Sequence, residues 1–245
     1  MNIIKLNAIE STNSYLKDLM LETTLENYTV VVAENQTAGR GQMGANWEVE
    51  SGKSLTFSVL IRLSKVNVAH QFYFNMCVSL ACAKVLKRHT SATVKVKWPN
   101  DIMAEKDKIA GILIENSIRG QKIISSVVGI GLNVNQVSFP KHLEGVTSLS
   151  KIEKIPFDKE KLMGELLREL KSQMHYFETE QFEMIKEEYL NFLFEFNKPR
   201  MFEITSGEQF LGKIVDVNSA GQLVIETEDK ETRKFEIKEI KFARY

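Results

Sequence analysis

The sequence predicts an α+β chain, a mixed β-sheet packed on helices with a small β-barrel after it. Two observations carry that expectation. Strands and hairpins fill residues 28–134 with few crossover helices between them, which argues against a doubly wound parallel sheet. Beyond Asn197-Lys198-Pro199 the composition shifts, and short strands separated by turn signals fill residues 201–245, the pattern of a small barrel. The expected division is 1–197 and 198–245. The second unit is small for an independent core, so it is expected to dock on the first.

The elements follow in chain order. Glu10-Ser11-Thr12-Asn13 precedes Tyr15, Leu16, Leu19 and Met20, an apolar helical face that Ser11 or Thr12 can cap. Strands are expected near 28–34 and 55–62, and a long apolar-rich helix over 69–89. Val94-Lys95-Val96-Lys97-Trp98 alternates as a strand and stops at Pro99. Ile109 to Ile118 and Ile123 to Val134 form a hairpin through Arg119-Gly120-Gln121. Two helices are expected over 157–178 and 180–196. Barrel strands are expected over 201–204, 210–217, 222–227 and 234–242, with turns at Ser206-Gly207, Ala220-Gly221 and Glu228-Asp229.

Composition removes several classes of function. Among 245 residues, 32 Lys+Arg balance 32 Asp+Glu, so the excess positive charge of a general nucleic-acid binder is missing. The N-terminus lacks a signal peptide's apolar core, and no apolar run approaches the ~20 residues that span a bilayer. Cys77 and Cys82 lie five apart in one expected helix, on different faces, and read as buried reduced thiols. His70, His89, His142 and His175 are scattered, without zinc-ligand spacing. A cytoplasmic protein is expected.

Gly39-Arg40-Gly41-Gln42-Met43-Gly44 has the letters of a dinucleotide fingerprint. That motif needs a helix after it, whose N-terminus holds the pyrophosphate. Here Leu55 to Ile61 is a strand and nothing helical precedes it. The stretch is therefore a glycine-rich loop between strands, with Arg40 its one cation, able to fold backbone amides over an anion. Gly52-Lys53-Ser54 resembles the end of a P-loop, but Trp47 occupies the place of the required first glycine, so it reads as a turn.

Three further groups can carry chemistry. Pro99 forces the chain out of the ladder, so Asn100 and Asp101 can point into a cleft or cap their own turn. Lys108 stands at the mouth of an apolar strand, either solvated or neutralising a bound anion. Gly129 and Gly131 share one strand face with Asn133, leaving room for a flat ligand or marking a bulge.

Together, Ser11-Thr12-Asn13, Gln36-Thr37-Ala38-Gly39-Arg40-Gly41, Lys97-Trp98-Pro99-Asn100-Asp101, Lys108-Ile109-Ala110-Gly111-Ile112-Leu113 and Gly129-Ile130-Gly131-Leu132-Asn133 resemble the biotin–protein ligases in order and spacing. The resemblance covers nearly the whole chain. It implies a class II aminoacyl-tRNA synthetase-like catalytic fold with an SH3-like C-terminal barrel. It also implies the family's short form, without a DNA-binding helix-turn-helix, so DNA is not an expected partner.

The resemblance implies an enzyme that uses ATP and Mg²⁺ to activate biotin and transfers it to a biotin carboxyl carrier domain of a biotin-dependent carboxylase. It places Ser11, Thr12, Asn13, Gln36, Gly39, Arg40, Gly41, Gln42, Lys108, Gly111 and Gly129 at biotin. Hydroxyls and amides suit a ureido group, which offers donors and one strong acceptor. It places Arg40, Trp47, Lys97, Asn100 and Asn133 at ATP. Arg40, Lys108 and Asp101 become catalytic, and Asp101 the Mg²⁺ ligand. The family loop reads G-R-G-R-x-G-R-x-W; here Gln42 and Ala45 replace its second and third arginines. Nucleotide grip is then expected to rest on Arg40, Lys97 and Lys108, with Lys53 as a substitute cation.

Two other readings stand beside this one. A lipoate–protein ligase would carry an Arg-Arg-x-Ser-Gly-Gly-Gly loop, which does not occur here. A non-catalytic biotin- or nucleotide-binding regulator would keep Ser11 to Asn13 and Lys108 yet could dispense with Asp101. Exposed sheet edges could pair two copies into a homodimer.

Overall fold

Nine elements of the first 132 residues build one mixed sheet and two of its helices. They are β1 (Ile3–Ile9), α1 (Thr12–Glu22), β2 (Val30–Gln36), β3 (Leu55–Asn67), α2 (Gln71–His89), β4 (Val94–Lys97), β5 (Asp101–Ala104), β6 (Asp107–Arg119) and β7 (Lys122–Leu132). The computed structural model describes residues 2–243. The sheet order is β1-β2-β3-β7-β6-β5-β4. Only β1 and β2 run parallel; α1 makes the crossover between them, which a parallel pair requires.

Period-two alternation gives the sheet two different faces. Val30, Val59, Ile61 and Val128 point into the main core, where α2, α4 (Lys159–Glu178) and α5 (Phe182–Phe192) cover them. Val31, Leu60 and Val127 point the other way and pack under Leu16 of α1. Ser11 caps α1, its hydroxyl accepting from the Ser14 N–H. Cys77 and Cys82 are both buried free thiols, as expected; burial pushes the Cys82 thiol up to about 12.

Two strands of the main sheet were not expected from sequence. β1 is an edge strand whose residues are mostly exposed, so it lacks the continuous apolar run of a buried one. β5 is four residues long and pairs with β4 across Trp98-Pro99-Asn100. Proline does end β4, but the chain turns back into the sheet instead of leaving it. A short helix α3 (Leu149–Glu153) was likewise unforeseen.

The C-terminal residues form a separate antiparallel sheet from β8 (Pro199–Ile204), β9 (Gln209–Val217), β10 (Leu223–Thr227), β11 (Thr232–Phe235) and β12 (Ile240–Phe242), in the order β11-β10-β9-β8-β12. Residues 234–242 are two strands rather than the expected one. A turn closed by the Glu239 N–H on the Glu236 carbonyl, with Lys238 at φ 73°, divides them. β12 thereby crosses to pair with β8. Phe202, Phe210, Phe235 and Phe242 pack ring to ring on this sheet.

This sheet is fastened to the rest of the chain by specific contacts. Trp98 Nε1 donates to the Gly221 carbonyl at 2.9 Å, and Lys186 pairs with Asp216 at 2.8 Å. Gly221 has φ 90°, and a Cβ there would stand 2.5 Å from the Phe72 ring of α2. Gly221→Ala therefore combines left-handed backbone strain with a clash. It should cost about 2 kcal/mol, roughly 4–8 °C in Tm for a chain of this length, read by thermal unfolding. An unchanged Tm would show that this contact yields freely. Among the described residues no helix is long and apolar enough to cross a membrane.

Candidate active site

Strand register assembles the site. Directly paired residues point to the same face, and one row across the sheet reads Ala33, Thr56, Gly131, Gly111, Asp101, Lys97. The adjacent row reads Val31, Ser58, Gly129, Leu113. Segments far apart in sequence thus meet on the α1 face, where the strands carry glycine and polar residues beyond the end of the helix. Over them opens a cavity of about 730 Å³.

One end of the cavity is a hydrogen-bonded set of amides and hydroxyls. The Thr12 N–H donates to Gln36 Oε1 at 2.8 Å. Ser58 Oγ lies 2.7 Å from Thr12 Oγ1 and 2.5 Å from Asn13 Oδ1. Asn13 Nδ2 donates to Glu115 Oε2 at 2.9 Å. Glu115 also takes Lys17 Nζ at 2.7 Å and Arg40 Nη2 at 3.2 Å. Burial works against the charge of Glu115, but hydrogen bonds from Lys17 and Asn13 and the charges of Lys17 and Arg40 outweigh it. Its pKa therefore sits below the usual carboxylate value.

The middle holds an ion pair beneath an indole. Lys108 Nζ stands 2.6 Å from Asp101 Oδ1 and 5.6 Å from the Trp47 ring centre. Lys108 is fixed by its neighbours: its N–H donates to the Gly145 carbonyl, and its own carbonyl accepts from Thr147. Trp47 Nε1 is buried without a partner, and the indole lies against Gly131, where a Cβ would stand 2.7 Å from that nitrogen. Among the described residues no group of three His, Cys, Asp or Glu could hold a metal by itself.

The glycine loop closes on itself. The Gly41 N–H donates to the Ala45 carbonyl, the Trp47 N–H to the Gly39 carbonyl, and Arg40 bridges to Asn46. Those amides are spent within the loop. Gln42–Gly44 makes a single 3₁₀ turn inside the loop, β3 follows, and no α-helix does, so the exclusion of a dinucleotide fingerprint holds. Arg40 turns toward α1, with Nη1 donating to Ser14 Oγ at 3.2 Å.

Ser11, Thr12, Asn13, Gln36, Arg40, Gly41, Gln42, Trp47, Lys97, Asn100, Asp101, Lys108, Gly111 and Gly129 all line this one cavity. Gly39 does not; its missing side chain admits the Trp47 carbonyl. Asn133 does not either. β7 ends at Leu132, so period two no longer applies, and Asn133 turns its Nδ2 to the Thr147 carbonyl, with Oδ1 buried and unpartnered. Lys53 is exposed outside the cavity, which removes it as a substitute cation. The room expected beside Gly129 and Gly131 exists, but protein fills it: a Cβ at Gly129 would overlap Asn13 Oδ1, and one at Gly131 the Trp47 indole.

Sequence reasoning missed Ser58 and Glu115, and the far wall. Ser58 is a fully buried hydroxyl in an apolar strand, a legible oddity; Glu115 lies about a hundred residues from its partner Asn13, with no local signal. The C-terminal sheet supplies the far wall with Phe202, Ile214, Leu223, Ile240 and Phe242, and Lys97 Nζ lies 5.9 Å from the Phe242 ring.

Comparison with known proteins agrees with this geometry. The model of the biotin/lipoate A/B protein ligase family matches residues 6–133. The bifunctional ligase/repressor BirA of Bacillus spizizenii is 27% identical over 231 residues, covering 93% of this chain and 70% of that protein. Its Escherichia coli namesake is 32% identical over 181 residues, 73% of this chain and 55% of its own length. The biotin–[acetyl-CoA-carboxylase] ligase of Mycobacterium tuberculosis is 28% identical, covering 91% of this chain and 83% of that one. A biotin protein ligase from Aquifex aeolicus, solved with biotin and ATP, superposes with a TM-score of 0.80 at 24% identity, over 100% of this chain and 99% of its own. The family match spans more than half of the chain and includes every strand that builds the cavity floor, so the chain belongs to the biotin/lipoate A/B protein ligase family.

Proposed function

We propose that this chain is an ATP-dependent ligase that converts biotin to biotinyl-5′-AMP and passes the biotinyl group to a lysine of a biotin carboxyl carrier domain. One observation carries this reading. A single cavity joins a urea-matched end, built from Thr12, Asn13 and Gln36, to a charged centre built from Asp101 and Lys108. The Aquifex relative, whose fold this chain shares along its whole length, was solved with biotin and ATP. Residues 1–197 would form the catalytic unit, and 198–245 a barrel that closes the nucleotide side.

The chemistry follows from charge. A carboxylate is a poor acyl donor. Its oxygen attacks the α-phosphorus of ATP, the new O–P bond forms as the bond to the bridging oxygen breaks, and pyrophosphate leaves. Lys108 offsets the repulsion between the two anions and the charge that builds on the transferring phosphoryl group. The acceptor's neutral amine then attacks the activated carbonyl, AMP departs with the bonding electrons, and the amine proton passes to solvent. Positioning and water exclusion supply most of the remainder.

Asp101 is the carboxylate paired with Lys108 at the charged centre, which suits Mg²⁺, an ion that takes most of its oxygens from phosphates and water. Mg²⁺ would neutralise phosphate charge there. Trp47 offers a face for a flat base beside Asn100, whose Nδ2 donates to the Ile112 carbonyl at 2.5 Å. The test is pyrophosphate release with ATP, Mg²⁺ and either biotin or lipoate, followed by transfer to a biotin carrier domain. Release with biotin alone and label on the carrier lysine are expected. Release with lipoate, or with neither, would defeat the reading.

A further inference from the structure

We infer that Ser58 and Glu115 are positioning residues that fix which end of the Asn13 amide meets the ureido group. The inference rests on the biotin reading of the cavity. Neither residue lines the cavity, and both act through Asn13, which does.

An asparagine amide has two donors at one end and an acceptor at the other, in nearly the same shape. Only its neighbours decide the orientation. Asn13 Nδ2 faces Glu115 Oε2 at 2.9 Å and the Leu113 carbonyl at 3.4 Å. Both are pure acceptors, so a flipped amide would aim its oxygen at a carboxylate and a carbonyl. Lys17 and Arg40 hold that carboxylate in its charged form.

The hydroxyls at the other end accommodate that orientation. Ser58 Oγ is 2.5 Å from Asn13 Oδ1 and 2.7 Å from Thr12 Oγ1. Asn13 Oδ1 carries no proton, so Ser58 must spend its only proton there. The Ser58–Thr12 contact then takes its proton from Thr12. Gln36 Oε1 keeps the Thr12 backbone N–H at 2.8 Å. Thr12 Oγ1 also lies 3.0 Å from Gln36 Oε1, so its single proton is shared between Gln36 and Ser58, while the Ser58 proton stays on Asn13 Oδ1. The absent Cβ of Gly129 lets Asn13 lie against the sheet in this pose. What Asn13 retains is one lone pair on Oδ1, because Glu115 and the Leu113 carbonyl take both Nδ2 protons. That lone pair can accept from a urea N–H.

The test uses the purified full chain. Biotin Kd is measured by calorimetry, ATP KM by pyrophosphate release, and Tm alongside. Failure of the unaltered protein to bind biotin overturns the biotin reading itself, before any variant is compared. Ser58→Ala should weaken biotin by about tenfold, the range of one lost buried hydrogen bond, with ATP KM within about twofold. Glu115→Gln keeps shape but can present either amide end. It should weaken biotin, because a turned amide would set an N–H against the urea N–H. Unchanged biotin Kd in both variants overturns the inference. So does a rise in ATP KM that keeps step with biotin Kd, because that marks general damage to the fold.

Discussion

Lys108→Ala should slow biotin-dependent pyrophosphate release by about 100- to 1,000-fold at saturating substrate, with little change in Tm. The side chain is partly exposed and its backbone is anchored through Gly145 and Thr147, so removing the amine leaves the fold intact. Of the other cations expected at the phosphates, Lys97 turns toward the C-terminal sheet, its Nζ 5.9 Å from the Phe242 ring. Arg40 is committed to Glu115 and Ser14, and the loop offers Gln42 and Ala45 where a further cation would stand. The loss also exposes Asp101, whose carboxylate would then face incoming anions without its partner at 2.6 Å. Adding Asp101→Asn to Lys108→Ala should therefore cost less than the two single losses combined, as expected for groups in contact. A loss below tenfold for Lys108→Ala would place the decisive cation elsewhere.

How much of this was legible in the sequence depended on the range of each interaction. The Ser11 cap and the hairpin around Gly120 are local, and both were readable. The loop at Gly39 was identified by what fails to follow it. β5 escaped because four residues cannot display a period, and β1 because an exposed edge strand need not be apolar. The site motifs could be named separately, yet no local pattern says that Thr56, Gly131, Gly111, Asp101 and Lys97 form one row. That follows from register across five strands. Glu115 and the C-terminal wall are likewise products of register and docking. Gly129 and Gly131 correctly signalled a close approach, but the approaching groups are Asn13 and Trp47 of the same chain.

Gln42→Arg should lower the ATP KM by about tenfold or more, since a charge-assisted hydrogen bond contributes roughly 1.5–3 kcal/mol. Gln42 and Ala45 both line the cavity, on a loop pinned by the Gly41–Ala45 and Trp47–Gly39 hydrogen bonds. An arginine there would reach the phosphates from a fixed base and could grip two oxygens at once, which glutamine cannot. The same contact would hold the acyl-adenylate after pyrophosphate has left. Free biotinyl-5′-AMP in solution should therefore fall with Gln42→Arg, measured by chromatography of the reaction without carrier protein. Lys53→Ala is the control: Lys53 lies outside the cavity, so the ATP KM should not move. If Gln42→Arg changes neither the KM nor the free adenylate, the phosphates do not reach this loop. Lys97 and Lys108 would then hold them without it.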